Sequence, residues 1–84
     1  MAFYHPYVWY LQPGQIADQL IDFITNNVES DDFKLLEYGP TREVWSIPNP
    51  GYVEGFPETH QRIHVRVDIE QSTVEVQEEV YHGE

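Results

Sequence analysis

The stretch Gln61-Arg-Ile-His-Val-Arg-Val-Asp-Ile69 decides the fold, because every second side chain in it is aliphatic and those between are polar or charged. Such alternation is typical of a β-strand that buries one face and exposes the other. Residues 73–80 repeat the pattern through Val74 and Val76. Together the two segments predict an antiparallel pair whose aliphatic face needs a covering layer.

That layer is predicted upstream, where aliphatic residues recur every four positions from Gln15 onward, as in an amphipathic helix. Pro13-Gly14 precedes this segment and Asn26-Asn27 supplies residues that favour its end. The helical stripe consists of Ile16, Leu20, Ile21, Ile24 and Val28, with Ala17 beside it. It is expected to cover the sheet face formed by Ile63, Val65, Val67, Val74 and Val76.

Three further strands complete the prediction. Residues 3–11 are rich in aromatic and β-branched side chains. Because Pro6 cannot donate a ladder hydrogen bond, the strand either begins after it or lies at a sheet edge, and we expect an edge strand. Residues 33–38 fit a strand or a helical turn, and the abrupt Gly39-Pro40 favours the strand; residues 41–47 form the next one. We therefore predict a single α+β domain over residues 1–84, with one helix packed on a four- to five-stranded antiparallel sheet in the chain order β-α-β-β-β-β. Strand order within the sheet stays undetermined.

The register of the last hairpin has two solutions. A two-residue loop at positions 70–71 places Arg66 opposite Glu75, which the charges favour. A longer loop pairs Ile69 with Val74 instead. The short loop lacks the Gly or Asn that a tight hairpin turn prefers, so the register is left open. In either register the cations of this strand lie beside acidic or amide side chains.

The segment between the third and fourth strands, residues 48–60, holds three prolines and two glycines and cannot form regular structure. Its Tyr52, Val53 and Phe56 are poorly suited to a free solvent loop, which predicts an ordered excursion. A binding loop and a flap covering one side of the core fit equally well.

Charge excludes several classes of function. The 84 residues carry 15 Asp and Glu against 4 Lys and Arg, a net charge of −11, while the 40% apolar content is that of a folded globule. Direct nucleic-acid binding is not expected, because affinity for phosphates comes chiefly from Lys and Arg.

The absence of cysteine makes a cytoplasmic location the simplest expectation. The first residues show neither a basic leader nor a long apolar run, so we predict no secretion signal and no membrane span.

Catalytic and metal sites are weakly indicated. His60 and His64 are four residues apart, but on a strand they would be separated by about 13 Å, too far to share one ion. A metal site would therefore need His5 or His82 to converge with one of them through the fold. No serine lies in a glycine-flanked elbow, and the paired acids fit solvated charge. We predict no enzymatic activity, no metal and no cofactor.

The remaining features favour a non-catalytic acidic module that binds a basic protein surface, as an inhibitor or a nucleic-acid mimic. The predicted contacts are Asp18, Asp22 and Glu29 on the outer helix and its end, Tyr7, Trp9 and Tyr10 in the first strand, and Tyr52 and Phe56 in the loop. One alternative is a small accessory subunit that self-associates, as a homodimer for example, or docks in a larger complex through its aromatic first strand. In that case the acidic charge serves only solubility. The other is a small metal-binding or enzymatic domain that uses its histidines.

Overall fold

The computed structural model describes residues 9–78, which form one helix and one five-stranded antiparallel sheet in the predicted chain order. The elements are β1 (Tyr10–Leu11), α1 (Gly14–Thr25), β2 (Lys34–Tyr38), β3 (Arg42–Pro48), β4 (Arg62–Asp68) and β5 (Thr73–Glu78). The sheet order is β1-β5-β4-β3-β2. The α+β class is confirmed, and residues 34–38 form the strand that the closing Gly-Pro pair favoured.

The strand with the clearest alternation, β4, lies at the centre of the sheet between β3 and β5. The first strand lies at an edge, as predicted, although only Tyr10–Leu11 of the predicted residues 3–11 falls within the described strand. The rest of that segment, apart from Trp9, is outside the described residues. The second edge is β2.

The hairpin between β4 and β5 adopts the register that the charges favoured. Arg66 pairs with Glu75, and the ladder ends at Asp68 opposite Thr73. The turn needs no glycine, because the Asp68 carboxylate accepts a hydrogen bond from the Gln71 N–H at 2.9 Å and Ser72 adopts a left-handed φ of 54°. The sequence reasoning considered only the loop residues 70–71 and did not include Asp68 and Ser72, which form this turn.

The helix is shorter than predicted, and its buried stripe is narrower. It ends at Thr25, so Val28 lies beyond it and is 52% exposed, while Ile21 is 38% exposed. A four-residue step overshoots a full helical turn by about 40°, so a stripe spaced at four drifts off the buried face. The helical residues that are buried are Ala17, Leu20 and Ile24, with Ile16 and Phe23 packed beside them.

The core lies between α1 and one face of the sheet. Its sheet side contains Ile63, Val65, Val74 and Val76, each at most 1% exposed, with Val67 partly buried. This is the predicted aliphatic face. Trp45, Ile47, Phe33, Val53 and Phe56 complete the cluster. No helix within residues 9–78 has the length and apolar character needed to cross a membrane.

Candidate functional site

The outer surface of α1 carries two of the predicted contact residues. Asp18 and Asp22 are both exposed and lie one helical turn apart, about 6 Å along the axis. They point outward because Ala17, Leu20 and Ile24 direct the opposite side of the helix into the core. The third predicted acid, Glu29, is also exposed and lies in the turns after the helix.

The connection between β3 and β4 brings Tyr52 to the helix. Tyr52 is 39% exposed and lies near enough to Asp22 to be affected by its charge. Partial burial raises the pKa of the Tyr52 phenol, and the Asp22 carboxylate adds to that rise. Ile21, adjacent to Asp22 in the chain, is also partly exposed. Two predicted contacts from distant parts of the sequence thus share one surface.

The conformation of this connection depends on Asn49, which sequence reasoning missed. Its side-chain amide donates hydrogen bonds to the carbonyl oxygens of Phe56, Pro57 and His60, at 3.3, 3.0 and 2.8 Å. Its oxygen accepts from the N–H of Gly51 at 3.0 Å, where the chain turns through a φ of 90°. The signal was present as an Asn-Pro-Gly turn sequence, which favours side-chain-to-backbone hydrogen bonds.

One of the residues predicted to contact a partner is buried in the core instead of lying at the surface. Phe56 is only 4% exposed and belongs to the core, where its ring meets Tyr10 edge-on at 5.8 Å. Val53, also 4% exposed, is buried in the same cluster. Val53 and Phe56, two of the three apolar side chains of this loop, therefore lie where a flap covering the core would place them. Only Tyr52 remains at the surface.

The first-strand aromatics do not form one surface. Tyr10 is 55% exposed and pairs with Val76, on the helix side of the sheet. Trp9 is half-buried, and its ring lies 4.3 Å from the guanidinium carbon of Arg66, on the side facing away from the helix. Tyr7 lies outside the described residues.

The cations are segregated to one face of the sheet. Opposed residues in an antiparallel ladder share a face. Along β3, Val44, Ser46 and Pro48 alternate with the core residues Trp45 and Ile47, so residues opposite them lie on the face away from the core. Arg66 is opposite Val44, Arg62 opposite Pro48 and Lys34 opposite Ser46. Arg42 also belongs to this side, which we call the open face because α1 packs on the other. These four residues are all the Lys and Arg of the chain.

Three of these cations are engaged within the fold, of which Arg42 is the most exposed and lies 3.8 Å from a Glu37 carboxylate oxygen. Arg66 donates to a Glu75 carboxylate oxygen at 2.9 Å, with both side chains about three-quarters buried. Arg62 donates to the Asp32 carbonyl oxygen at 2.7 Å and to the Ser46 carbonyl oxygen at 2.9 Å. The prediction that the cations of β4 lie beside acidic or amide side chains is confirmed for Arg66, which pairs with Glu75.

Within residues 9–78, the helix side carries acids that no Lys or Arg faces. They are Asp18 and Asp22 on α1, Glu43 and Glu78 on sheet positions facing the helix, and Glu54 and Glu58 on the connection that packs against it. Because every Lys and Arg of the chain lies on the open face, none faces these carboxylates within the described structure. His60 approaches Glu78 at 3.5 Å.

The metal hypothesis finds no geometric support among residues 9–78, where no three His, Asp or Glu side chains group so as to hold an ion. His60 is occupied differently, with its ring edge-on to Phe56 and its Nδ1 buried without a hydrogen bond. His5 and His82, which that hypothesis needed, lie outside the described residues.

Comparison with known proteins adds no relative, since no protein-family model, no curated protein and no solved structure matches this chain.

Proposed function

We propose that this protein is a non-catalytic acidic binding module whose helix side docks on a basic surface of another protein. The observation that carries the proposal is the segregation of charge across the sheet: all four Lys and Arg lie on the open face, and the helix side is left with acids. A compact field of one sign steers a partner of opposite charge and speeds its association.

The position of Asp22 supports a role beyond stability. It lies in the last turn of α1, where the negative end of the helix dipole disfavours an acid. Asp18, one turn earlier, adds like-charge repulsion at the i, i+4 spacing. Both contributions lower the stability of the isolated domain, so the fold itself gives no reason for this pair.

The neighbouring side chains provide the means for specific contact. Tyr52 and Ile21 offer partly exposed apolar surface beside Asp22. An arginine of the partner would pair with the carboxylate and stack on the tyrosine ring, which is the common composition of interface hot spots. This surface is therefore suited to a basic protein and unsuited to nucleic acid itself.

Proteins that bind nucleic acid present the type of basic groove that fits this surface, with carboxylates taking the place of phosphates. The proposal accordingly includes inhibition by nucleic-acid mimicry, without an enzymatic step, a cofactor or a membrane. A cytoplasmic location stays a prediction.

The test compares two variants with the same change in net charge. Asp22→Lys reverses charge within the proposed surface, whereas Glu70→Lys reverses it in the exposed β4–β5 turn. Immobilised wild-type protein should retain basic proteins from a native lysate at low salt and release them at high salt. We expect the Glu70→Lys protein to retain the same set and the Asp22→Lys protein to lose it.

Circular dichroism of both variants checks that the fold is preserved. For each retained protein, association rates measured against ionic strength should fall steeply with salt, and added nucleic acid should displace the module. Equal retention by both variants, or binding that salt leaves unchanged, would overturn the proposal.

A further inference from the structure

Among the described strands, β2 is an edge strand whose outer side is largely apolar. All five residues of Lys34–Tyr38 are exposed, including Leu35 at 44%, Leu36 at 53% and Tyr38 at 75%. No described strand pairs with β2 on the side away from β3. A strand edge with exposed apolar side chains is a template for pairing with another chain.

A β-bulge sets which side chains of β2 share a face. Lys34 pairs with Ser46 and Glu37 with Val44, while Leu36 is the extra residue without a partner in the ladder. Since Ser46 and Val44 are two positions apart, they lie on the same face. Lys34 and Glu37 therefore both lie on the open face, although their spacing of three would place them on opposite faces of a regular strand.

This arrangement makes β2 complementary to itself. In an antiparallel pair of copies related by a two-fold axis, Lys34 of each copy lies opposite Glu37 of the other, and the two lysine–glutamate pairs are equivalent. Leu35 and Leu36 then lie opposite Leu36 and Leu35. We propose that the protein forms a symmetric homodimer through β2, joining two five-stranded sheets into one of ten strands.

The bulge selects a second copy over other strands. A bulge usually protects an edge, because a regular strand loses register on passing it. Two copies of β2 carry the same extra residue at the centre of the contact. Residues 34–37 of one copy therefore lie opposite residues 37–34 of the other, and the two strands stay in register on both sides of the bulge.

The local charge also favours this edge. The molecule carries −11, so two copies repel each other across most of their surfaces. Strand β2 has one cation and one anion, and Arg42 lies 3.8 Å from Glu37 beside it. Salt screens both this repulsion and the two lysine–glutamate pairs, but exposed ion pairs contribute little, so relief of the repulsion outweighs their weakening and the apolar contacts persist. Dimerisation through β2 should therefore strengthen as salt is added, whereas docking of a basic partner on the helix side should weaken.

The first experiment measures mass by sedimentation over a range of protein concentrations at low and high salt. The wild-type chain should shift from monomer to dimer with concentration, and further in high salt. Leu36→Glu and Leu11→Glu change the charge equally at exposed positions on the two opposite edges. The first should raise the dimer dissociation constant by about tenfold or more, because it places two acids at the centre of the contact, and the second should leave it unchanged.

The second experiment tests the register. Lys34→Glu and Glu37→Lys each place like charges opposite each other in a homodimer and should each dissociate it. A one-to-one mixture of the two variants restores both pairs of opposite charge, so the mixture should regain dimer that neither protein forms alone. Thermal unfolding followed by circular dichroism checks each variant for folding.

Three results would each overturn the proposal: a wild-type chain that stays monomeric at every concentration and salt, loss of dimer in Leu11→Glu but not in Leu36→Glu, or a mixture with no more dimer than its components. None of them affects the helix-side proposal, whose variants lie on other surfaces.

Discussion

The two faces of the sheet are stabilised in different ways. On the helix side, aliphatic residues pack against α1, and the charges are outside. On the open face, Arg66 pairs with Glu75 beneath Trp9, and Arg62 binds backbone and side-chain oxygens. Because every Lys and Arg lies on the open face, the acids described on the helix side face none of them. The placement of the cations that stabilises the open face thus leaves the helix side with the acidic surface on which the proposed function depends.

Because packing against α1 stabilises the helix side, removing most of a buried side chain there should have the largest effect. Leu20→Ala, at a fully buried position of α1, should lower the free energy of unfolding by about 2–5 kcal/mol. Ile21→Ala, its exposed neighbour, should change the same quantity by less than about 1 kcal/mol. Urea denaturation of both proteins provides the measurement. Similar losses in the two variants would contradict the observed orientation of the helix.

The connection that covers the helix side should depend on one side chain. Asn49→Ala removes the hydrogen bonds that it makes with the loop and leaves carbonyl groups without a donor, lowering the free energy of unfolding by about 1–3 kcal/mol. Backbone amides of residues 51–60 should then exchange hydrogen faster, while those of β4 keep their protection. If exchange in the loop is unchanged, Asn49 does not determine its conformation.

The fold was predictable because its strongest signals are local. Strict alternation in β4 and β5 identified the buried face, and charge favoured the hairpin register that Arg66 and Glu75 adopt. The end of the helix was not predictable from a four-residue stripe alone. The side chains of Val28 and Ile21 fit that stripe in the sequence, yet helix rotation and the turn after Thr25 leave them exposed.

The candidate site was only partly predictable. Exposed acids on α1 follow directly from amphipathicity, so Asp18 and Asp22 lie where the pattern placed them. Phe56 could not be assigned to core or surface, because an irregular segment has no period from which to read its orientation. The segregation of cations depends on which strands are neighbours and on the β2 bulge, neither of which has a signal in the order of residues along the chain.

The open face offers a comparison within itself, between a protected ion pair and an exposed one. Arg66 and Glu75 are about one-quarter exposed at 2.9 Å, whereas Arg42 and Glu37 are about half exposed at 3.8 Å. Double-mutant cycles, with each residue changed to alanine singly and together, should give a coupling energy of about 1 kcal/mol for the first pair. The second should give less than about 0.5 kcal/mol and vanish in salt. Equal coupling energies would mean that the difference in burial does not change how strongly the two pairs interact.

The smallest expected effect concerns the influence of the Asp22 charge on Tyr52. Partial burial and the nearby carboxylate both disfavour tyrosinate, so the pKa of Tyr52 lies above its ordinary value of 10.0 in the folded protein. The unfolded chain releases this proton first as pH rises, so the contribution of Tyr52 to stability is full below pH 10 and decreases above it.

Asp22→Asn removes the charge but not the burial, and should lower the pKa of Tyr52 part of the way towards 10.0. Tyrosinate absorbance, taken as the difference from the corresponding Tyr52→Phe protein, isolates this group from the other tyrosines. A pKa that stays unchanged in Asp22→Asn would separate the two residues and divide the proposed docking surface, whereas the expected decrease would establish that the helix acid and the loop aromatic act on one another.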